Sequence, residues 1–167
     1  MQKAVQQMKQ LAEGGAGAGE VLRHALQHLV RLAGARSASL ILHRRQAREL
    51  EFVAAVGEQS PRSPEAGRFP EGRGVAGEVI RSGRSALVND PASDARFFDV
   101  VDRISGFVTH NLLAIPLVYD GHVAGVLCAI NKESGFDETD RDTCLALVGA
   151  LELLLRQVDD ADLMFSG

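Results

Sequence analysis

Two apolar segments joined by Asp120-Gly121 constrain the fold of this chain more than any other feature. The first segment runs from Leu112 to Tyr119, and the second runs from His122 to Ile130. Both central residues of a two-residue hairpin turn need positive φ angles, and Asp-Gly is a favoured pair there, so the sequence predicts an antiparallel hairpin. Because Pro116 has no N–H to donate to a strand ladder, we expect an edge or a bulge beside it.

The remaining segments alternate between helical and strand patterns. A helix is predicted within residues 1–13, and the glycine-rich run 14–19 is predicted to interrupt it. The Pro/Ser/Glu-rich segment 57–68 is predicted to be a loop. Strands are expected at Ser39–His43, Leu50–Val56 and Ala86–Val88, and helices at Glu20–Ala33, Gly74–Arg81, Arg96–Asp102 and from Asp137 to about Val158. This order predicts an α+β fold with an antiparallel sheet of five or six strands and flanking helices.

The chain has 167 residues, a length that suits one domain. We expect residues 1–19 to form an N-terminal helix and linker, residues 20–158 the folded domain, and residues 159–167 a C-terminal tail. Ala146 and Ala150 make the apolar face of the last helix wider than one sheet requires. The sequence therefore predicts a second partner for this helix, either the N-terminal helix or another subunit, and we expect a homodimer through the terminal helices.

Charge and hydropathy argue against several classes of protein. The net charge is −4, from 18 basic and 22 acidic residues, and no basic cluster typical of a nucleic-acid surface is present. The first ten residues lack the apolar core of a secretory signal, and the apolar runs are too short to span a membrane. We therefore expect a cytoplasmic protein without nucleic-acid or membrane partners.

No motif of a catalytic site or a metal site stands out. Cys128 and Cys144 are too few for a disulfide framework or a zinc site, and both lie in apolar segments, where cysteine packs as a small hydrophobic residue. His24 and His28 are one helical turn apart, and we expect both on the protein surface. Since no Ser-His-Asp spacing, phosphate-binding loop or metalloprotease helix occurs, the sequence predicts that the domain is not an enzyme.

Motifs spread over residues 20–158 resemble the GAF family of sensory domains. They are Gly-Val-Ala-Gly at 74–77, Asp90, Arg96-Phe97, Gly106-Phe107 with Thr109, Ile115-Pro116-Leu117 and Gly125-Val126-Leu127. The resemblance implies an antiparallel sheet with subunit-packing helices on one face and a ligand pocket on the other. It also implies that an output domain or partner protein receives the signal.

A further motif is similar to one in the cyclic-nucleotide-binding branch of that family. Asn131, Lys132, Phe136 and Asp140 match it, whereas Arg141 stands where the family has an acidic residue. The resemblance implies a structural role, in which the lysine and the aspartate tie a strand end to a helix start. The motif therefore supports the fold more than it supports a cyclic-nucleotide ligand.

By the same resemblance, the ligand-binding residues are expected to be Val75, Ala76, Phe98, Ser105, Thr109 and Cys128. Phe98 could stack on a flat ligand, and the helix start at Val75-Ala76 could offer N–H groups to a phosphate. Purine-specific relatives often carry acidic side chains at the positions of Cys128 and of Val56-Gly57, and this chain has none there. A cyclic nucleotide and some other small molecule both stay open as ligands.

The sequence as a whole predicts a sensory or regulatory domain of a signal-transduction protein. A small molecule would bind between the sheet and the 94–111 segment, and the terminal helices would transmit the change. The alternative is a ligand-free dimerisation or protein-interaction module, in which side chains such as Phe98 fill the pocket.

Overall fold

A computed structural model of the chain describes residues 1–58, 67–99 and 108–167. The strands are β1 (Ser37–Arg44), β2 (Glu49–Gly57), β3 (Arg68–Pro70), β4 (Ala86–Val88), β5 (Leu112–Tyr119) and β6 (His122–Ile130). The helices are α1 (Gln2–Glu13), α2 (Ala18–Ala33), α3 (Gly74–Ser82), α4 (Glu138–Leu155) and α5 (Ala161–Phe165). The strands form one antiparallel sheet in the order β3-β2-β1-β6-β5-β4, which confirms the predicted α+β fold with six strands.

The predicted hairpin is present with its predicted bounds. Asp120 and Gly121 have φ angles of 52° and 80°, as a two-residue turn between twisted strands requires. β4 pairs only with Leu112–Ala114 of β5, so Pro116 lies beyond the end of its neighbour, and a register shift follows between Leu117 and Val118. The expected edge and irregularity at the proline are therefore both found.

One face of the sheet packs against α2 and α4, and α1 packs against these two helices. Alternate residues of the strands point to this face and meet the apolar sides of the helices, because side chains on a strand alternate between its two faces. The buried cluster includes Met8, Leu26, Leu40, Leu127 and Leu151, none of which is measurably exposed. The helix layer thereby leaves the opposite face of the sheet to a separate set of contacts.

Both terminal segments belong to the same packed body. Ala4 and Met8 of α1 are buried in the helix-side cluster, and so are Ala161 and Phe165 of α5. The Arg44 guanidinium donates to the backbone oxygens of Met164 and Ser166 at 2.9 and 3.2 Å, which holds α5 against β1. The segment that the sequence analysis assigned to a tail thus contains a docked helix.

The first turn of α2 receives its cap from the far end of the chain. No side chain near Gly17 caps the helix, and Oδ1 of Asp160 accepts the backbone N–H of Ala18 at 2.7 Å. A Cβ at Gly17 would lie 2.8 Å from Oδ2 of Asp160, so a larger residue there would have to displace this carboxylate. At its other end, α2 stops at Gly34, whose left-handed conformation (φ 69°) is typical of a glycine that caps a helix.

Two further sequence-based expectations, a helix at 96–102 and an exposed His28, differ from the structure. Within the predicted helix at 96–102, the described residues 96–98 are not helical, because the Asp94 side chain accepts the N–H of Arg96 at 2.9 Å in a local turn. His28, expected at the surface, is only 3% exposed. Several predicted features lie outside the described residues: residues 100–102 of the helix, Ser105, the Gly106-Phe107 pair, and residues 59–66 of the loop predicted at 57–68. Across the part of the chain that is described, no helix is both long and apolar enough to cross a bilayer.

Candidate functional site

A second apolar cluster covers the sheet face opposite α1, α2 and α4, which we call the pocket face. It contains three of the predicted ligand-binding residues, namely Val75, Ala76 and Cys128, and the fourth, Phe98, packs against it. α3 brings Val75 and Ala76 to this face because it packs across β5 and β6. The structure therefore gathers four of the six predicted binding residues around one surface.

A row of small side chains crosses the middle of the pocket face. The strand register aligns Ala55, Ser39, Cys128, Ala114 and Ala86 on β2, β1, β6, β5 and β4 in turn. All five side chains are short, so this row is lower than the longer side chains of the same face. A flat ligand needs a site lined by apolar atoms with a few polar groups to fix its orientation, and the residues of the row are of these kinds.

Two serine hydroxyls supply polar groups that the sequence analysis missed. Ser37 and Ser39 alternate with Ala38 and Leu40, which point to the helix side, so both serines belong to the pocket face. Oγ of Ser37 is buried and has no hydrogen-bond partner among the described residues. An unpartnered buried hydroxyl is costly, and a ligand atom could satisfy it. The polar-apolar alternation at 37–40 was the sequence signal for these residues.

The thiols at and near the site are chemically quiet. Burial raises the pKa of Cys128 to about 12, although its hydrogen bond with Ser39 acts in the opposite direction. Burial also raises the pKa of Cys144 to about 12. Because the thiolate is the reactive form of cysteine, neither residue has the environment of a nucleophile at neutral pH.

A groove of about 630 Å³ opens beside α3, between the turn that leads into this helix and residues 95–98; we call it the arginine groove. Its polar lining comes from His43, Glu71, Arg73, Glu78, Arg81 and Arg96, and its apolar lining comes mainly from Ile80, Phe97 and Phe98. The volume is within the range of small-molecule sites. Phe98 thus belongs both to the pocket face and to the wall of this groove.

Most charges in the arginine groove are paired. Arg81 binds Glu78 at 2.6 Å, and Arg96 binds Asp94 at 2.8 Å, and these hydrogen bonds hold the pKa of both carboxyls below their usual range. Arg73 has no carboxylate partner among the described residues, and its guanidinium carbon lies 5.8 Å from the centre of the Phe98 ring. An anionic group entering the groove would meet Arg73 without displacing an ion pair.

The ring of Phe98 already has neighbours in this structure. Its centre is 5.9 Å from that of Phe69, and the two rings are inclined at 53°. A Cβ at Gly74 would lie 3.2 Å from Cβ of Phe98, so the glycine, whose φ is 78°, admits the close approach. Stacking of a ligand on Phe98, as the sequence analysis expected, would require Arg73 or Phe69 to move.

The first turn of α3 receives no side-chain cap from residues 1–58, 67–99 or 108–167, and Arg73 is its N-cap residue. The N–H groups of a first helical turn have no partner within the helix, and they attract anions. The expectation that Val75-Ala76 could face a phosphate stays a prediction.

The motif of Asn131, Lys132, Phe136 and Asp140 connects β6 to the segment before β5 and to α4. Oδ1 of Asn131 accepts the N–H of His110 at 2.7 Å, and its Nδ2 donates to the backbone oxygen of Val108 at 2.9 Å. Nζ of Lys132 lies 2.8 Å from both carboxylate oxygens of Asp140. This geometry corresponds to the strand-to-helix tie that the resemblance implied.

Phe136 and the neighbouring Arg141 make further contacts around the start of α4. Phe136 is buried, and its backbone N–H and C=O bind the side-chain amide of Asn89 at 2.9 and 3.0 Å. Arg141, at the position where the motif departs from the family, pairs instead with Glu138 at 3.1 Å. None of these contacts reaches the pocket face, so the motif orders the fold around the site.

Thr109 and Ser105 are the two other predicted binding residues. Thr109 is half-buried on the segment that Asn131 holds, and Ser105 lies outside the described residues. No group of three or more His, Cys, Asp or Glu side chains within residues 1–58, 67–99 and 108–167 is arranged to hold a metal ion. His28 is buried beside Arg31, and burial followed by that positive charge lowers its pKa.

The family follows from a direct comparison with known proteins. A sequence profile of the GAF domain matches residues 16–156. The chain belongs to the GAF domain family. Among solved structures, the GAF domain of a phosphoenolpyruvate-protein phosphotransferase from Coxiella burnetii superposes with a TM-score of 0.78 at 20% identity, covering 93% of this chain and 92% of that one.

A free methionine-R-sulfoxide reductase from Neisseria meningitidis, solved with its substrate, is also similar to this GAF domain. It superposes with a TM-score of 0.77 at 22% identity, covering 96% of this chain and 90% of that one. At these identities the two structural likenesses establish the fold alone.

Curated relatives include cyclic-nucleotide phosphodiesterases. The cone cGMP-specific 3',5'-cyclic phosphodiesterase subunit alpha' of Bos taurus is 29% identical over 153 residues, which are 84% of this chain. A dual 3',5'-cyclic-AMP and -GMP phosphodiesterase 11A of Takifugu rubripes is 39% identical over 77 residues, which are 44% of this chain. This GAF domain spans 18% of the first relative and 8% of the second.

Proposed function

We propose that this GAF domain is a sensory module that binds a small molecule on the pocket face, between the sheet and the 94–111 segment. The observation that carries the proposal is the buried hydroxyl of Ser37, which finds no hydrogen-bond partner in the described part of the chain, beside the low row of Ser39, Cys128 and Ala114. Buried polar groups are nearly always hydrogen-bonded, so such a hydroxyl is suited to a ligand atom.

The ligand we favour is flat and carries an anionic group. The low row accepts a flat ring, while Arg73 and the first turn of α3 offer positive charge and N–H donors. A cyclic nucleotide combines these features, and the curated relatives are named as cyclic-nucleotide phosphodiesterases. Cys128 and Gly57 supply no carboxylate that could hydrogen-bond to the edge of a purine. Other flat, anionic ligands should therefore be screened together with the cyclic nucleotides.

Signalling would use a change in the helix layer. A ligand shifts a conformational equilibrium only if it binds the two conformations with different affinity. Asn131 links the segment before β5 to β6, and Lys132 links β6 to α4. Reordering of the 94–111 segment would therefore reach α4, and a homodimer or an output partner would read the change.

We propose a regulatory role without catalysis. Reductases occur among the structural neighbours, but the two thiols of this chain have pKa values of about 12. A redox cycle that begins with a thiolate is poorly supported by such cysteines.

A thermal-shift screen tests the sensory proposal. Cyclic AMP, cyclic GMP, other nucleotides and common metabolites are added to the wild-type domain, to Ser37→Ala and to the control Ser134→Ala, whose hydroxyl is exposed. A ligand at a hundredfold excess over its dissociation constant should add about 2.7 kcal/mol, or roughly 5–10 °C in Tm. Ser37→Ala should reduce the shift, whereas Ser134→Ala should preserve it.

A second candidate is a dimerisation or protein-interaction module that binds no ligand. Phe98 favours it, because this side chain packs on the pocket face together with Phe69 and Arg73. The absence of any shift across the panel would favour this function over the sensory one, whereas an equal shift in the Ser37→Ala variant would show binding that does not use Ser37.

A further inference from the structure

The outward face of α4 carries an exposed apolar stripe. Leu145 and Leu153 are 40% and 63% exposed, and Gly149 lies midway between them. At 100° per residue, these three positions fall on one face of the helix, with Asp142 and Arg156 on the same stripe. The opposite face of α4, around Leu147 and Leu151, is buried in the core, so the stripe points away from the domain.

No described residue crowds Gly149. Glycine is the poorest helix former after proline, so a glycine in mid-helix calls for a packing reason. A Cβ at Gly149 would have no atom of residues 1–58, 67–99 or 108–167 within 4 Å, so those residues do not require a glycine there. Close approach of another backbone is a reason that remains.

We propose that α4 pairs with α4 of a second copy of this chain, antiparallel and crossing at Gly149. This inference rests on the homodimer part of the proposed function and specifies its surface and register. In a pair related by a two-fold axis, the same patch serves both subunits. Residues at equal distances before and after the crossing point then face one another.

The residue pairs that this symmetry creates are complementary. Leu145 lies four residues before Gly149 and meets Leu153 of the second copy, four residues after it. Asp142 lies seven residues before and meets Arg156 of the second copy, seven residues after. Each pair occurs twice across the axis. A parallel pair would instead place Asp142 against Asp142 and Arg156 against Arg156, which costs energy.

The groups at the edge of the stripe are compatible with this register. Glu152 accepts the backbone N–H of Val118 at 2.9 Å and is held against its own subunit. In the antiparallel pair it faces Ala146 of the second copy and meets no like charge. Val118 is 40% exposed beside it and extends the apolar surface. A second copy is thus the occupant that matches both the apolar positions and the charges.

Sedimentation of the full chain tests the surface. The wild type is expected to be a dimer at high micromolar concentration, and Leu153→Asp is expected to be a monomer. Val108→Asp, at a residue that is 57% exposed and lies outside α4, is the control and should stay dimeric. Circular dichroism shows whether each variant is folded. A monomeric wild type, or a folded Leu153→Asp that remains a dimer, would overturn the proposal.

Charge reversal and cross-linking test the orientation. Asp142→Arg and Arg156→Asp should each weaken the dimer about tenfold, and the double variant should restore it, since two opposed pairs are inverted together. Under oxidation, a mixture of Leu145→Cys and Leu153→Cys chains should form a mixed disulfide, whereas neither variant alone should cross-link. Cross-linking of Leu145→Cys with itself, or a double variant no stronger than the singles, would refute the antiparallel register.

The outcome is separate from that of the ligand screen. A monomeric chain that still gains thermal stability with a ligand would overturn the pairing and leave the sensory function standing. A dimer that responds to no ligand would do the reverse.

Discussion

The ion pair between Lys132 and Asp140 should contribute more to stability than an ordinary surface pair. Its Nζ–Oδ distances are both 2.8 Å, and the two side chains are 24% and 10% exposed. Lys132→Met keeps the aliphatic part of the lysine side chain but removes its ammonium group. The Asp140 carboxylate then keeps only the hydrogen bond that it accepts from the backbone N–H of Asp137. Hydrogen bonds to charged groups contribute about 1.5–3 kcal/mol, and exposed pairs about 0.2–1 kcal/mol. We expect Lys132→Met to cost about 1.5–2 kcal/mol.

Asp140→Ala should cost more, because Asp140 also belongs to the capping box of α4. Its Oδ2 accepts the N–H of Asp137 at 3.0 Å, and Oδ1 of Asp137 accepts the N–H of Asp140 at 2.9 Å. Losing the first of these bonds adds a capping term of about 0.5–2 kcal/mol. The total for Asp140→Ala is therefore about 2–4 kcal/mol.

Urea denaturation of the wild type, both single variants and the double variant gives the coupling energy of the pair. We expect a coupling of about 1–2 kcal/mol, because the two changes share one interaction. Lys9→Met is the control, since Lys9 and Glu13 are 3.9 Å apart and more than half exposed, and its effect should be near zero. A coupling below about 0.3 kcal/mol would show that burial does not strengthen this pair, and the reasoning would fail.

The same pair predicts a dependence of stability on pH. Burial raises the pKa of Asp140, but its hydrogen bonds with Lys132 and Asp137 outweigh burial, and the net pKa is lowered. A lowered pKa in the folded state stabilises the protein above the unfolded pKa of about 3.9, and this stabilisation is lost as pH falls through the folded value. The difference in unfolding free energy between wild type and Asp140→Ala should therefore shrink below about pH 4.

Three further predictions concern single positions. Gly57→Ala should lower the free energy of unfolding, measured with urea, by at least about 2 kcal/mol, because φ of Gly57 is 96° and the new Cβ would lie 2.3 Å from the backbone oxygen of Arg36. Its control is Gly19→Ala in open space on α2, which should raise the free energy of unfolding by about 0.5–1 kcal/mol. Asp160→Ala should cost about 0.5–2 kcal/mol and speed amide exchange at the start of α2, and unchanged exchange would count against the cap. Cys128 and Cys144 are buried and should not react with an aromatic disulfide reagent at about pH 8 until the chain unfolds. The control is the exposed thiol of a Ser134→Cys variant, which should react at once. Rapid labelling of the native wild type would contradict the burial of the two cysteines.

The sequence predicted those parts of the fold in which local chemistry and tertiary structure agree. The Asp120-Gly121 turn and its two strands appear at the predicted residues because the turn type fixes the register. Gly34 and Gly83 end α2 and α3 in the left-handed conformation that glycine adopts without strain. The apolar positions of α4 likewise pointed to its packed face.

Two of the misses arise from contacts that are distant in sequence, and the third arises from a local turn. β3 has only three residues and exists through pairing with β2, so no local pattern announced it. His28 sits at the edge of a polar helix face, but neighbouring elements bury it. Residues 96–98 have helical composition, yet the side chain of Asp94 closes a turn on Arg96 instead.

The candidate site was predicted in part. The family resemblance located Val75, Ala76, Phe98 and Cys128, all of which meet at the pocket face. It could not show the low row of side chains, since that row depends on the register of five strands. Ser37 became a candidate only when its hydroxyl proved buried without a partner.

The contact between Asp160 and Ala18 brings the start of α2 and the start of α5 to one point. The N–H of Ala18 and the carboxylate of Asp160 are 2.7 Å apart although they lie 142 positions apart in the sequence. Close approach of distant segments is what makes a domain suitable for insertion into a loop of another protein or for circular permutation. A graft that kept only residues 18–160 would nevertheless remove Ala4, Met8, Ala161 and Phe165 from the core. Any chimera that couples the pocket face to a reporter protein therefore has to carry both terminal helices.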